Sequence, residues 1–477
     1  MSPFRKKGNP IRCGFFPFVF GALPATIGRW SLGHRAVAAG NFRKKIGILR
    51  EKIGNCGGKI RTLRRKNERI LAEVEWKLNR LNNQPRKTFG YLRPLEYFQK
   101  MYNFTPDIAV ALSNLIQQRL LFMATKDKPI IKLENGTTAP CQEPVVVSAS
   151  RSTDIPAFYC DWFFHRLKVG YSAWINPFNG VKMYVSYAKT RFIVFWSKNP
   201  RPLLNHLEEL KERGIGCYIQ FSLNDYEDEK LERGVPPLVE RIETFKRLVE
   251  SLGYGSVIWR FDPLILTDDI GIDQLLKKIE NIGDQLKGYT EKLVFSFADI
   301  ALYRKVKSNL EANGVPYHEW TETQMVEFTS RLVELNKKKG WKYKLATCGE
   351  KGRYPGVEPN HCVDDELIIR RGYHDKELMA FLKAEIHPMP AEDLFGEKEP
   401  LPDDAIILEN GQYATRGDNR DKGQREFCGC MKSKDIGQYN TCIHMCEYCY
   451  ANTSKQSAAM NYKCHKDNPC AETITGK

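Results

Sequence analysis

The sequence lacks any apolar run long enough to cross a membrane as a helix. The nearest approach, Gly14 to Gly28 (GFFPFVFGALPATIG), is interrupted by two prolines. It follows a basic start and has the outline of a signal peptide, but an oxidising destination would be hostile to exposed thiolates, so we expect a cytoplasmic protein with no membrane partner. Acidic side chains are scarce at the front: residues 1–100 hold 23 Lys plus Arg against 5 Asp plus Glu. The formal charge of +16 therefore describes an appendage, and the rest of the chain is near neutral. Evenly spread cysteine pairs, as in a small secreted scaffold, are also missing. Of 14 cysteines, five fall between Cys428 and Cys449, too close together for several independent disulfides. Such clustering points to a metal or cluster in a reducing compartment. Isolated Cys160 and Cys217 read as buried core thiols.

Residues 1–67 show no sustained apolar period, which implies disorder or a disrupted fold. From Asn67 to Asn82, Ile70, Leu71, Val74, Leu78 and Leu81 recur at helical spacing, and Asn82-Asn83-Gln84-Pro85 supplies a stop. RLNNQPRKTFGYLRPLEYF, Arg80 to Phe98, resembles the C-terminal end of the catalytic domain in one class of insertion-sequence transposases, over residues 68–113. The acidic residues that would hold two metals for strand transfer are missing. The stretch reads as a fusion fragment, or as a basic helix and loop with no such history. A linker over 114–143 follows.

Beyond Pro140, short apolar β-rich runs alternate with amphipathic helical stretches. Strands are expected at Val145–Ser148, Tyr171–Ile175, Phe192–Trp196, Cys217–Phe221, Val257–Phe261, Leu293–Phe297 and Tyr343–Ala346, with a last one leading into Cys442. Helices are expected at Phe158–Lys168, Pro202–Arg213, Leu238–Leu252, Ile272–Leu286 and Thr323–Lys338. This alternation predicts an α/β fold, and eight strands match a TIM-barrel-like (β/α) barrel over 144–452. A polar, loose tail would occupy 453–477.

In such folds chemistry emerges at the carboxyl edge of the sheet. Here strand after strand ends in polar groups: Arg151, Ser152, Thr153 and Asp154; Ser197, Lys198 and Asn199; Gln220 and Ser222; Arg260 and Asp262; Ser296 and Asp299; Thr347, Cys348 and Glu350. Each alone reads as a cap or turn. Together they suggest one rim at which Arg151, Asp154, Lys198, Arg260, Asp262 and Glu350 act on a substrate. Arg260 and Asp262, two apart on a strand, would serve equally as an internal ion pair.

The decisive stretch is CGCMKSKDIGQYNTCIHMCEYCYAN, Cys428 to Asn452, in which Cys442, Cys446 and Cys449 stand at Cys-x3-Cys-x2-Cys with Tyr448 before the last. One loop could grip three corners of a 4Fe–4S cubane and leave the fourth iron open. Structural zinc on three cysteines with His444 or His465 competes, although zinc knuckles usually come as two Cys-x2-Cys pairs. So does an electron-transfer or sensing cluster without radical activity, with Cys428 or Cys430 as fourth thiolate, and so do purely structural thiols.

With Tyr448, the segment resembles the motif of the radical S-adenosylmethionine enzymes. That resemblance implies an open iron chelating S-adenosylmethionine, an aromatic near its adenine, and a one-electron donor such as flavodoxin or ferredoxin. Reductive cleavage would then yield methionine and a 5′-deoxyadenosyl radical. In that family the triad follows the first strand, whereas here it follows the last, as in a circular permutation. Over residues 145–452, with SASRSTDIPAFY, NPFNG, FWSKNP, WRFDP, SFAD, ATCGE and SKDIGQYNTCIHMCEYCYAN, the chain resembles an uncharacterised prokaryotic family, DUF1848. That family is noted for a C-terminal cysteine cluster similar to the radical enzymes' N-terminal one. The glycine-rich cofactor segment of the radical enzymes is not evident, and SASRSTD stands in its place. Ser150 and Ser152, with Arg151 and Asp154, would have to do its work. Cys428 and Cys430, with Cys348, Cys362, Cys464 and Cys470, are candidates for a second metal. A DNA-associated protein acting through the basic front segment is a third reading.

Overall fold

Short runs of β-branched and aromatic residues, joined by amphipathic helices, build an eight-stranded sheet in the computed structural model, which describes residues 128–176, 180–391, 399–421, 423–424 and 428–477. The strands are β1 (Val146–Ala149), β2 (Phe192–Ser197), β3 (Gly216–Ser222), β4 (Val257–Leu264), β5 (Lys292–Phe297), β6 (Lys344–Thr347), β7 (Glu358–Pro359) and β8 (Lys434–Asp435). Their order is β7-β6-β5-β4-β3-β2-β1-β8, and every neighbouring pair is parallel. The basic segment 1–67, the helix at 67–82 and the transposase-like stretch 68–113 lie outside the described residues.

Alternation along the strands divides the core in two. Val147, Ile193, Phe195, Ile219, Phe221, Trp259, Leu293 and Phe295 face one way and pack under α1 (Cys160–Val169), α3 (Leu238–Leu252), α4 (Ile272–Leu286) and α6 (Glu322–Lys339). The short α2 (Leu207–Glu212) and α5 (Arg304–Ala312) complete this layer. Leu238, Ile242, Phe245, Leu248 and Val249 form the buried stripe of α3, at the three-and-four spacing that makes one helix face apolar. A capping box of Thr321 and Gln324 starts α6, and Gly340 in the left-handed region ends it.

The opposite face of the sheet presents Val146, Phe192, Val194, Tyr218, Ile258, Val294 and Ala346. In a closed barrel these would pack on one another. Here the chain between β7 and β8 covers them with Leu367, Ile368 and Ile369 of α7 (Asp365–Gly372), Leu378 and Leu382 of α8 (Lys376–Leu382), and Met431. A three-stranded antiparallel sheet, Glu385–Pro388, Ile406–Ile407 and Gln412–Thr415, lies in the same segment. No pairing joins β7 to β8 among the described residues, so the expected barrel closure is not observed. The architecture is a mixed α/β fold around a large parallel sheet.

Membership of the sheet also differs from expectation. Tyr171–Ile175 is a strand, but it pairs antiparallel with nearby Lys182–Ser186 in a separate four-stranded sheet. The hairpin of Ile130–Lys132 and Thr138–Gln142, within the stretch read as linker, completes that sheet. The eighth strand of the main sheet is the two-residue β7. The tail, expected to be loose, instead forms α9 (Lys455–Asp467) and returns to bridge Ala173 through Thr473. There Trp162 Nε1 donates to the Ala471 carbonyl at 2.8 Å. No helix among the described residues is long and apolar enough to cross a membrane.

Ile474 is 2% exposed, so Ile474→Ala should cost about 2–5 kcal/mol, read as a lowered urea midpoint. An unchanged midpoint would mean that the tail does not dock.

Candidate metal centre and polar rim

The cysteine loop is placed by β8, which pairs with β1 in the register Lys434↔Val147 and Asp435↔Ser148. Two residues make little ladder, and side chains supply the rest of the grip. The Asp435 carboxylate accepts from Ser150 Oγ at 2.7 Å, Ser148 Oγ at 3.1 Å, Arg151 N at 2.8 Å and Gly437 N at 3.0 Å. A Cβ at position 437 would lie 1.8 Å from Ser150 Oγ, so the close approach requires glycine. Ser150 and Ser152, which bond one another at 3.0 Å, thus work on β8.

Cys442, Cys446 and Cys449 follow in the loop between β8 and α9. Backbone groups of His444 and Asp154 beside Cys442, and of Ala451 and Asn452 beside Cys449, favour the thiolate form. Burial pushes the Cys442 thiol up to about 12 and raises those of Cys446 and Cys449. The backbone groups oppose that shift at Cys442 and Cys449, and a bound cation would reverse it. Around the loop, Asn452 Nδ2 donates to the Cys442 carbonyl at 2.7 Å and Tyr159 OH to the Thr441 carbonyl at 2.6 Å. Buried Glu447 is held by Lys455 of α9 at 2.7 Å and by Arg233 at 3.1 Å. Gly234 N donates to the His444 carbonyl at 2.8 Å, and a Cβ there would meet two loop carbonyls within 2.8 Å.

A single zinc at this loop fits poorly. Four thiolates on one tetrahedral ion sit about 3.8 Å apart, and the three sulfurs do not converge in that way. Among the described residues the group whose three donor atoms lie within 4.8 Å of one another is His361, Asp364 and Asp365. Those carboxylates are already occupied: Asp364 caps α7, and Asp365 pairs with Arg416 at 2.5 Å. His444 offers no free nitrogen, since Nδ1 meets the Gly234 carbonyl at 3.1 Å and Nε2 meets Asp154 Oδ2 at 2.7 Å. His465 is buried on α9 against Tyr159. A cubane spreads its thiolates more widely and asks for no histidine.

Several of the expected rim residues converge beside the loop. Asp154 accepts from Ser197 Oγ and Lys198 N, each at 2.7 Å, and faces His444; burial alone would raise its pKa, but these contacts hold it below the usual carboxylate range. Lys198 Nζ donates to Glu232 Oε1 at 2.7 Å and to Tyr448 OH at 2.9 Å. Asn224 Nδ2 donates to the same two groups at 3.0 and 3.1 Å, and Tyr448 OH donates to Glu232. Glu232 and Asn224 were not among the expected site residues. Glu232 is 7% exposed. Despite burial, Lys198 and Arg241 hold its pKa at about 2.

Asn224 Oδ1 also accepts from Asp262 N at 2.9 Å, which links this network to a second one. Arg260 forks between Asp262 and Gln220 Oε1, and Ser296 Oγ also donates to Asp262. Arg260 and Asp262 therefore form the internal ion pair. Arg260 and Arg151 both stack on Trp196, with guanidinium carbons 5.3 and 5.6 Å from the ring centre. Glu350 Oε1 accepts from Phe297 N at 3.3 Å. Cys428 and Cys430 are not with the triad. Cys430 lies in the core on the other sheet face, with Cys362, whereas Cys446 belongs to the face packed under α1, α3, α4 and α6.

A family described as a domain of unknown function, DUF1848, matches residues 146–451. The chain belongs to the DUF1848 family. Comparison with curated proteins finds no match, and comparison with solved structures finds none. The DUF1848 match runs from β1 through the cysteine triad, so the polar rim and the cysteine loop both fall inside it.

Glu232 has its folded-state pKa depressed from 4.5 to about 2. Its contribution to stability is complete above the ordinary value and is lost as pH falls toward 2, up to about 3 kcal/mol. Urea titrations of Glu232→Gln should show a flatter acid limb between pH 5 and pH 2 than the native protein; parallel limbs would contradict this.

Proposed function

We propose that this DUF1848 protein is a radical S-adenosylmethionine-type iron–sulfur enzyme whose cluster is held by Cys442, Cys446 and Cys449. The observation that carries the reading is the pairing of β8 with β1. It puts a Cys-x3-Cys-x2-Cys loop beside the first strand, where a circularly permuted chain would present it. The finer fold that goes with this reading is a partial (β/α) barrel whose permuted ends meet at β1 and β8. The position of Cys428 and Cys430 in the other core supports an iron open to a small ligand, because neither is placed to complete a four-thiolate set with the triad. A reducing, cytoplasmic setting and a flavodoxin- or ferredoxin-like donor suit such a centre.

When bound, the cluster would supply the electron that cleaves S-adenosylmethionine to methionine and a carbon radical able to take hydrogen from a substrate. This chain's residues would orient and exclude. Tyr448, tied by its hydroxyl to Lys198, Glu232 and Asn224, is fixed in one position for a flat ring to pack against. Lys198 keeps its charge beside Glu232. Arg151, Arg260, Asp262, Ser296 and Glu350 line a polar rim suited to a substrate with anionic or hydrogen-bonding groups. The substrate class is set by that rim.

Anaerobically reconstituted protein, reduced with dithionite, should convert S-adenosylmethionine to methionine and 5′-deoxyadenosine, and Cys446→Ala should abolish cleavage and lose about four irons per chain. Retention of the cluster without cleavage would instead indicate an electron-transfer or sensing protein. Unaltered iron content in the variant would overturn the assignment of the triad.

A further inference from the structure

Four cysteines outside the triad come together at the carboxyl ends of β6 and β7 and in the segment before β8. Cys348 Sγ lies 2.9 Å from Cys362 Sγ. Cys362 and Cys430 share one buried cluster, and Cys348 and Cys428 pack against it. The surroundings of these sulfurs are polar, unlike those of an ordinary core thiol. Arg260 Nη1 and Asn360 Nδ2 donate to Cys362 Sγ at 3.4 and 3.2 Å. The backbone N–H groups of Cys362 and Val363 donate to Cys430 Sγ at 3.2 and 3.4 Å. Arg151 stacks on the same Trp196 ring as Arg260, and its buried Nε has no hydrogen-bond partner among the described residues.

A neutral thiol gains little from so many donors, whereas anionic sulfur needs them. Two guanidiniums offset negative charge, and N–H donors to sulfur are the groups that tune iron–sulfur centres. The set does not suit one ion, since no three of its sulfurs share a group with all donor atoms within 4.8 Å among the described residues, and the paired knuckles typical of zinc are missing.

We propose that Cys348, Cys362, Cys428 and Cys430 form a second, fully protein-ligated iron–sulfur site, on the sheet face opposite the triad's core. Its four thiolates leave no open iron, so its chemistry is electron storage or transfer, with Arg260 joining it to the substrate rim. The site stands independently of the triad's role.

The test uses the full chain, purified anaerobically, with iron, acid-labile sulfide and zinc measured. The triad variant C442A/C446A/C449A should keep one-third to one-half of the native iron, about two or four atoms per chain, with matching sulfide and visible absorption. Adding Cys362→Ser and Cys430→Ser should remove the remainder while the far-ultraviolet circular dichroism stays native. A folded triad variant without iron, one carrying zinc in its place, or one with a Cys348–Cys362 disulfide would overturn the second site. Iron unchanged by the triad substitutions would sink the triad assignment and leave this one standing.

Discussion

The Asp435 carboxylate is the constraint on which the site depends. It gathers three serine hydroxyls and two backbone N–H groups from β1, from the turn after it and from its own loop. Positions 435 and 150 are far apart in the chain, and closing so long a loop costs conformational entropy that two residues of β-ladder cannot offset alone. The charge-assisted hydrogen bonds provide the difference. Because Gly437 and Ser150 meet without a Cβ between them, the cysteine loop leaves β8 directly over the end of β1. Asp154, five residues beyond Ala149, then reaches His444, and Lys198 reaches Tyr448.

The covered second face of the sheet explains why the strands stay open. Each strand alternates between two apolar faces, and both must be buried. The chain between β7 and β8 buries the face that closure would otherwise hide, and in doing so carries Cys362, Cys428 and Cys430 to the rim. Sheet architecture and thiol placement are therefore one solution: the segment that prevents closure also delivers the sulfurs.

Strong periodicity made part of this legible. The helices Leu238–Leu252 and Ile272–Leu286 fall where the apolar spacing puts them, and β2 to β6 match their expected runs to within three residues. Tyr171–Ile175 was readable as a strand but not as a member of another sheet, because its partner is chosen by a local antiparallel return rather than by its own composition. Glu358–Pro359 is too short and too polar to announce itself. The cysteine spacing was plain from the chain alone. Glu232, Asn224 and Asp435 were not, since an isolated polar residue between elements looks like any turn until its buried partner is known. The α9 tail was missed for the same reason: its surface is polar, and what it buries belongs to residues some 300 positions earlier.

That tail has a practical consequence. Asn461 of α9 donates to the Asn440 carbonyl, Lys455 grips Glu447, and the chain ends in a knot where Thr473 Oγ1 donates to the Lys477 carbonyl and accepts from Lys477 N. An affinity handle or fluorescent reporter fused there would pull on a strut that braces the cysteine loop.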